Sequence, residues 1–222
     1  MKACLIAAAL VALVAQKDAS AAAAGLGSAD PAVRARAACE LRAFGKQASP
    51  YMPRLAAMLE DASPVDPAVC GERTWRFRGN EDLTTPGEQA ASALVAIGAP
   101  AQPIFLKALA GPAWVARKNA AWGLGALEAS EAVPALIEAL KDTDAGVREQ
   151  VAWALGAIGD RRAVDGLVGA LADSAPGVRK QAAWALGAIG DQRGVQGLTR
   201  ALKDVDAGVR KQAAWALGAI GG

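Results

Sequence analysis

The chain has 222 residues, of which 53% are hydrophobic and 21% are charged, so general disorder is excluded. The net charge of +2 gives no electrostatic preference for nucleic acid or for an anionic membrane, and we expect neither as a partner. Histidine is absent, which excludes Ser-His, Cys-His and His-ligated metal arrangements. We therefore expect no enzyme activity, no catalytic residue, no cofactor and no metal site.

Residues 1–21 have the layout of a secretory signal peptide. Lys2 is followed by the uncharged residues 3–15, and small residues surround the expected cleavage after Ala21 or Ala23. A membrane span needs about 20 apolar residues, so we expect no membrane insertion after cleavage. The sequence predicts an exported protein, periplasmic or secreted, with residues 22–27 as a short small-residue linker.

The remainder is built from an internal repeat of 31 residues. Tryptophan recurs at that interval, at Trp122, Trp153, Trp184 and Trp215. Residues 177–190 and 208–221 share the sequence GVRKQAAWALGAIG, and residues 146–159 differ from it at two positions. Each unit predicts two helices with one apolar face each, and such helices must stack on neighbouring units to bury those faces.

One unit shows the expected helix boundaries. Its first helix runs from about Ala145 to Ile158 and ends at Gly159, which can adopt the left-handed conformation. Asp160 can then cap the second helix, which closes near Asp173. Extending this register along the chain predicts an all-α solenoid of about five helix pairs plus one terminal helix.

The motifs GVREQVAWALGAIGD and AVPALIEALKD resemble short HEAT-like repeats, also found in phycobilin lyase subunits and deoxyhypusine hydroxylase. The resemblance covers residues 28–221 and implies a right-handed alpha-solenoid of the armadillo-like helical kind. An aspartate six residues before an arginine is typical of HEAT repeats, and it recurs as Asp142 with Arg148, Asp173 with Arg179 and Asp204 with Arg210. Ser28 and Gly111 replace the aspartate in repeats 1 and 3. The iron-binding His-Glu motifs of the hydroxylase are absent, so its chemistry is not implied.

Two recurring sets of side chains have competing interpretations. The tryptophans could stack on aromatic ligands, but the helical position of Trp153 points toward the adjacent first helix and favours packing between repeats. The recurring arginines could form a basic strip, but the aspartates that accompany them favour an ionic ladder between repeats. We interpret both sets as structural.

An insertion at about residues 62–84 interrupts the repeats, and its prolines and glycines predict a loop. Thr85 to Glu88 form a capping box that restarts the helices. Cys39 stands at the position of the later tryptophans, facing a flank where the insertion can fold down, so we predict a disulfide between Cys39 and Cys70. The loop also carries arginine and aromatic residues that are common at interface hot spots: Arg73, Trp75, Arg76, Phe77 and Arg78. They either bind a partner or cover the first repeats.

The second helices are expected to line an inner surface with mixed small and polar residues. The candidate partner-binding residues there are Lys107, Glu138 and Arg200 at one register and Asp165 and Gln196 at another. The same residues also fit an ordinary solvated face. The final helix at residues 207–220 has no second helix after it, which predicts end-to-end self-association or a partner at that face.

The function expected from these features is an extracytoplasmic protein-protein interaction scaffold that binds a protein or peptide. The alternative is a lyase or other enzyme subunit of the bilin-lyase-like HEAT class, which is implied by the resemblance.

Overall fold

A computed structural model describes residues 18–71 and 83–221. This part of the chain contains twelve α-helices. They are α1 Ala19–Ala24, α2 Pro31–Arg42, α3 Met52–Ala57, α4 Pro86–Ile97, α5 Gln102–Leu109, α6 Trp114–Ala126, α7 Val133–Ala139, α8 Ala145–Ile158, α9 Val164–Ala170, α10 Pro176–Ile189, α11 Val195–Ala201 and α12 Ala207–Gly221. Among the described residues, no helix is long and apolar enough to cross a bilayer.

The helix ends follow the signals in the sequence. Asp144 caps α8 by accepting a hydrogen bond from the backbone N–H of Val147, and Gly159 ends the helix with a φ of 73°. Asp160 accepts from the N–H of Arg162 and starts the 3-10 turn that leads into α9. The predicted bounds of α8 are therefore confirmed, whereas α9 ends at Ala170, before the expected end near Asp173.

The insertion leaves and rejoins the solenoid at a defined neck. Val65 and Thr84 form an antiparallel bridge, with N to O distances of 2.8 and 2.9 Å between their backbones. The capping box that follows is present, because Glu88 N–H donates to Thr85 Oγ1 and Thr85 N–H donates to Glu88 Oε2. The described part of the insertion is a loop with one 3-10 turn, Pro67–Cys70.

The helices alternate between two layers. We call α2, α4, α6, α8, α10 and α12 the A helices, and α1, α3, α5, α7, α9 and α11 the B helices. Successive A helices pack on one another, and each B helix packs on the A helix that follows it. The buried aliphatic side chains of both layers form one continuous core, as expected of a solenoid. The all-α solenoid is confirmed.

Residues 22–27, which the sequence predicts as a linker, are helical instead. Asp18 caps α1 by accepting a hydrogen bond from Ser20 N–H, and Ala22, Ala23 and Leu26 are buried. Alanine has the highest helix propensity, and its small side chain allows close packing against α2. α1 therefore covers α2 as the later B helices cover their A helices.

Most of the apolar stripe of α12 is also covered, contrary to the expectation that it lacks a cover, and its last two members, Leu217 and Ile220, are half-buried. Val209, Ala213 and Ala216 are fully buried. The expectation paired each A helix with the B helix after it, whereas α12 packs on α11 and α10, which precede it. The exposed apolar side chains at this face lie outside the stripe and include Trp215, which is 49% exposed.

Candidate partner-binding surfaces and the ladders behind them

The recurring arginines and aspartates form an ionic ladder between repeats. Nε of Arg148 donates to Oδ2 of Asp173 at 2.7 Å, and Nη2 donates to Oδ1 at 2.8 Å. The same two-pronged pairing joins Arg117 to Asp142 and Arg179 to Asp204. Paired, charge-assisted hydrogen bonds of this kind fix geometry as well as adding energy. The predicted ladder is confirmed.

The six-residue spacing of the motif has a different structural basis from the ion pair. Nη1 of Arg148 donates to the backbone carbonyl of Asp142, at 2.8 Å, while the carboxylate of Asp142 faces Arg117 of the preceding repeat. Because only a carbonyl is needed six residues upstream, any residue suffices there. Ser28 and Gly111 therefore serve as well as aspartate, through bonds of 2.8 and 3.2 Å to Arg34 and Arg117.

The ladder holds its carboxylates ionised. Hydrogen bonds from Arg148 lower the pKa of Asp173, and those from Arg179 lower the pKa of Asp204. Burial acts to raise the pKa of Asp142, but hydrogen bonds from Arg117 and from the backbone N–H of Asp144, together with the charges of Arg117 and Arg148, outweigh it, so this pKa also lies below its ordinary value. These aspartates are thus ionised partners in structural ion pairs.

The tryptophan ladder packs against glycines of the preceding A helix. A methyl group placed on Gly125 would lie 2.8 Å from Cζ3 of the Trp153 ring. The corresponding distance is 2.6 Å from Gly156 to Trp184 and 2.7 Å from Gly187 to Trp215. The repeat needs glycine there because each indole occupies the space of a side chain. The packing interpretation of the tryptophans is confirmed, including Trp122, which is buried.

The predicted disulfide joins Cys39 of α2 to Cys70 in the insertion, with the two Cα atoms 5.7 Å apart. Sγ of Cys39 also lies 3.2 Å from Oε1 of Gln89, whose Nε2 donates to Thr84 Oγ1 at 2.8 Å. The disulfide and this buried contact meet at the neck of the insertion. The insertion is therefore tied to both α2 and α4 on its described side.

The arginine and aromatic cluster of the insertion lies outside the described residues. It comprises Arg73, Trp75, Arg76, Phe77 and Arg78.

The candidate residues of the second helices occupy the exposed side of four successive B helices. They are Lys107 on α5, Glu138 on α7, Asp165 on α9, and Gln196 and Arg200 on α11, and all five are exposed. Asp165 accepts from Arg193 Nη1 at 3.3 Å, and Glu138 accepts from Lys141 at 3.1 Å, both on the exposed surface. The structure thus leaves these residues exposed in adjacent repeats, as expected of the solvated side of the second helices.

Sequence reasoning missed a second set of contacts between repeats, in the loops that precede the B helices. Nη2 of Arg162 donates to the carbonyl of Ser130 at 2.9 Å, and Nη2 of Arg193 donates to the carbonyl of Arg161 at 2.8 Å. These two arginines are 31 residues apart, two positions after an aspartate in each case. The same self-comparison that reveals the tryptophans could have found them.

The stacked helix layers and the ladders between repeats define an α-solenoid scaffold, a fold that supports protein-protein interaction in general. The HEAT repeats family matches residues 102–180 and 166–222, which together exceed half of the chain. The chain belongs to the HEAT-repeat family. No curated protein matches it.

Several solved structures are similar. The complex of CpcE and CpcF of phycocyanin lyase from Nostoc sp. PCC7120 matches with 29% identity and a TM-score of 0.58, over 94% of this chain and 79% of that chain. Yeast importin-β matches with 16% identity and a TM-score of 0.62, over 92% of this chain and 30% of that chain. A designed armadillo repeat protein in complex with peptide (KR)4 matches with 19% identity and a TM-score of 0.55, over 92% of this chain and 100% of that chain. The last two likenesses establish the fold alone.

Proposed function

We propose that this protein is an extracytoplasmic, non-catalytic scaffold that binds a protein or peptide along the exposed row of B helices. The observation that carries the proposal is the exposure of charged or polar side chains on four successive B helices, with Lys107, Glu138 and Arg200 at one register and Asp165 and Gln196 about one turn earlier at a second. The recurring arginines, aspartates and tryptophans are engaged between repeats, whereas this row is directed to solvent. The similar designed armadillo protein is in complex with a peptide, which supports a peptide as the kind of partner.

The row has a distinct charge order. Lys107 is followed by the acidic Glu138 and Asp165, and Arg200 ends the row. Packed helices lie about 8–10 Å apart, and an extended chain advances about 3.3 Å per residue. An extended partner crossing the row would therefore meet a new repeat about every third residue. The complementary segment carries acidic groups at its two ends and basic groups between them.

Export is supported by two features of the chain. Residues 1–21 have the layout of a signal peptide, whose removal would also take Asp18 and the first three residues of α1. A disulfide between Cys39 and Cys70 suits the oxidising conditions outside the cytoplasm. The chain lacks histidine, which supports a non-catalytic role.

A lyase subunit is the second candidate, favoured by the 29% identity to the phycocyanin lyase complex over 94% of this chain. It predicts that the purified protein binds a bilin chromophore, seen as a shift of the visible absorption band on titration. The scaffold proposal predicts an unchanged band.

The scaffold proposal is tested by charge reversal on the row. The variant Lys107→Glu with Arg200→Glu changes the B-helix row, and Lys180→Glu with Lys211→Glu is the matched control on exposed positions of α10 and α12. Tagged forms of each are used to capture protein from envelope and cytoplasmic extracts. We expect one envelope protein to be retained by the wild type and the control, and at least about tenfold less by the row variant, because reversed charges oppose a complementary partner.

Equal retention by the two double variants would contradict binding at the row. Retention from the cytoplasmic extract alone, with Met1 still present on the protein, would contradict export.

A further inference from the structure

We propose that the disulfide between Cys39 and Cys70 is a site of thiol–disulfide exchange for a small anionic thiol, which attacks Cys70 from an adjoining cavity. This site lies between α2 and the insertion, and it is separate from the B-helix row.

The disulfide borders a cavity of about 500 Å³, a volume that suits a small-molecule ligand. Cys39 is buried in α2, whereas Cys70 is half-buried at the end of the Pro67–Cys70 turn and is followed by exposed Gly71. A thiolate must reach one of the two sulfurs, and access determines which sulfur it attacks. Cys70 is therefore the sulfur that is attacked, and Cys39 is the leaving group.

The charges that line the cavity favour an anionic reagent. Arg36 and Arg42 lie about one turn to either side of Cys39 on α2, and they outnumber the carboxylate of Glu40 in the lining. Positive charge attracts an anionic thiolate and stabilises the thiolate that leaves. Arg42 stands where the later A helices carry the glycine that receives a tryptophan, such as Gly156, so the repeat does not account for it.

A largely buried chain of hydrogen bonds provides an acceptor for the Cys39 thiol. The carboxylate of Glu88 accepts from Thr84 Oγ1 at 2.9 Å, and Thr84 Oγ1 accepts from Gln89 Nε2 at 2.8 Å. These bonds orient the Gln89 amide so that its Oε1 lies 3.2 Å from Sγ of Cys39. A disulfide sulfur has no proton to donate, so this contact becomes a hydrogen bond only when Cys39 is a thiol.

In the exchange, the sulfur of the anionic thiolate bonds to Sγ of Cys70 as the bond between Cys39 and Cys70 breaks. The electron pair of that bond leaves with Cys39, whose thiolate takes a proton from water and then donates it to Gln89 Oε1. A second thiolate can attack the sulfur of the bound reagent, which releases the reagent as its disulfide and leaves Cys70 as a thiol. Two reagent thiols thereby supply the two electrons.

The neck of the insertion stays closed after exchange, because contacts without sulfur also hold it. Val65 and Thr84 keep their backbone bridge, and Arg34 Nε donates to Oδ2 of Asp61 at 2.7 Å. Exchange therefore frees the Pro67–Cys70 turn from α2 without opening the solenoid.

The test measures how fast the oxidised, folded full chain reacts with the anionic thiol 2-mercaptoethanesulfonate and with neutral 2-mercaptoethanol. Each rate is divided by the rate of the same thiol with hydroxyethyl disulfide, which corrects for the different pKa values of the two thiols. We expect the corrected rate to be at least about fivefold higher for the anionic thiol at low salt, and the advantage to shrink as salt is added. Acid quenching and peptide mapping should find the reagent on Cys70 and a free thiol on Cys39.

A pair of double variants assigns the preference to the cavity. Arg36→Gln with Arg42→Gln should abolish the anionic preference. Arg200→Gln with Lys203→Gln is the matched control, since it removes the same charge from exposed positions of the last repeats and should retain the preference. The salt dependence of the wild type tests the same charges without a substitution.

A reaction no faster than unfolding of the chain would overturn the proposal, because the disulfide would then be inaccessible in the folded protein. Reagent found on Cys39, or the same anionic preference in both double variants, would also contradict it. Charge reversal on the B-helix row tests a different surface, so failure here leaves the proposed function standing.

Discussion

α10 and α12 contain the same fourteen residues, GVRKQAAWALGAIG, in two different surroundings. Val178 and its counterpart Val209 are fully buried in both helices, because the preceding repeat covers that side. Arg179 donates to the carboxylate of Asp204, whereas Arg210 donates to the backbone carbonyls of Asp204 and Val205 and, within residues 18–71 and 83–221, pairs with no carboxylate. The preceding repeat thus buries the apolar stripe of an A helix. The following repeat supplies the aspartate and the tryptophan that contact the arginine and the glycine of that helix.

The first two repeats show the other departure from regularity. Gly87 stands at the ladder position of arginine in α4, and a methyl group there would lie 2.9 Å from the carbonyl oxygens of Leu59 and Asp61. Buried Asn119 donates to the Leu59 carbonyl at 2.9 Å. The ladder arginine is therefore missing from α4 alone, where contacts used only once and a disulfide take its place, whereas Arg34 of α2 still donates through Nε to Asp61 at 2.7 Å.

The largest effect expected separates this region from the ladder repeats. Cys70→Ser removes the disulfide and should lower the free energy of unfolding by about 3 to 4 kcal/mol, because the closed loop spans 31 residues. Chemical denaturation of the two proteins measures the difference. A reductant should bring the wild type to the stability of the variant and leave the variant unchanged. Equal stability of both under oxidising conditions would contradict the role of the disulfide.

A matched pair of arginine variants sharpens the comparison of α10 with α12. Arg179→Ala leaves Asp204 without its ladder partner and should cost about 1.5 to 3 kcal/mol of unfolding free energy. Arg210→Ala removes an exposed side chain bonded to two carbonyls and should cost less than about 1 kcal/mol. The local sequences are identical, so a difference in denaturation midpoint reports the following repeat. Equal losses would show that the carboxylate contributes nothing.

A matched pair of glycine variants tests the tryptophan ladder. Gly187→Ala puts a methyl group 2.7 Å from the Trp215 ring and 2.8 Å from Cα of Ala216, which should cost about 1 to 2 kcal/mol after the gain in helix propensity. Gly218→Ala meets nothing within 4 Å and should stabilise by about 0.5 to 1 kcal/mol. Thermal unfolding distinguishes the two signs. Stabilisation by both substitutions would mean that the ring does not constrain the glycine.

Acid should have the smallest effect, and it should act through the ladder. Asp173 and Asp204 have pKa values lowered by their arginine partners, so their stabilisation is fully present above the unfolded pKa of about 3.9. This stabilisation is lost as the pH falls from the unfolded pKa to below the lower pKa of the folded protein. Denaturation at pH 7 and pH 3 should show a smaller pH dependence for Arg179→Ala than for the wild type. An identical dependence would place the acid sensitivity elsewhere.

Much of the fold was readable from the sequence because capping and periodicity are local. Asp144, Gly159 and the Thr85 capping box set helix ends through contacts within a few residues. Periodicity shows which side chains face inward, but it does not show which neighbour they meet. For that reason the cover of α12 by α11, and the role of α1 in place of a linker, could not be predicted.

The candidate surfaces were readable to a different degree. The exposure of Glu138 and Asp165 followed from the register, since the repeat fixes which side of each B helix is solvated. The partner of each ladder arginine was not readable. In the repeated region the carboxylate that pairs with a ladder arginine lies 25 residues after it, in the next repeat. The motif in the sequence places an aspartate six residues before the arginine, and the arginine binds the backbone carbonyl of that aspartate, not its carboxylate.

The central claim is that a following repeat stabilises an A helix beyond what its own sequence provides. Native-state hydrogen exchange of the wild-type protein tests it directly, because α10 and α12 share fourteen residues and are compared in one sample. We expect the central amides of α10 to exchange at least about tenfold more slowly than those of α12, since α10 is packed on both sides. Equal protection of the two helices in isolated protein would contradict the account.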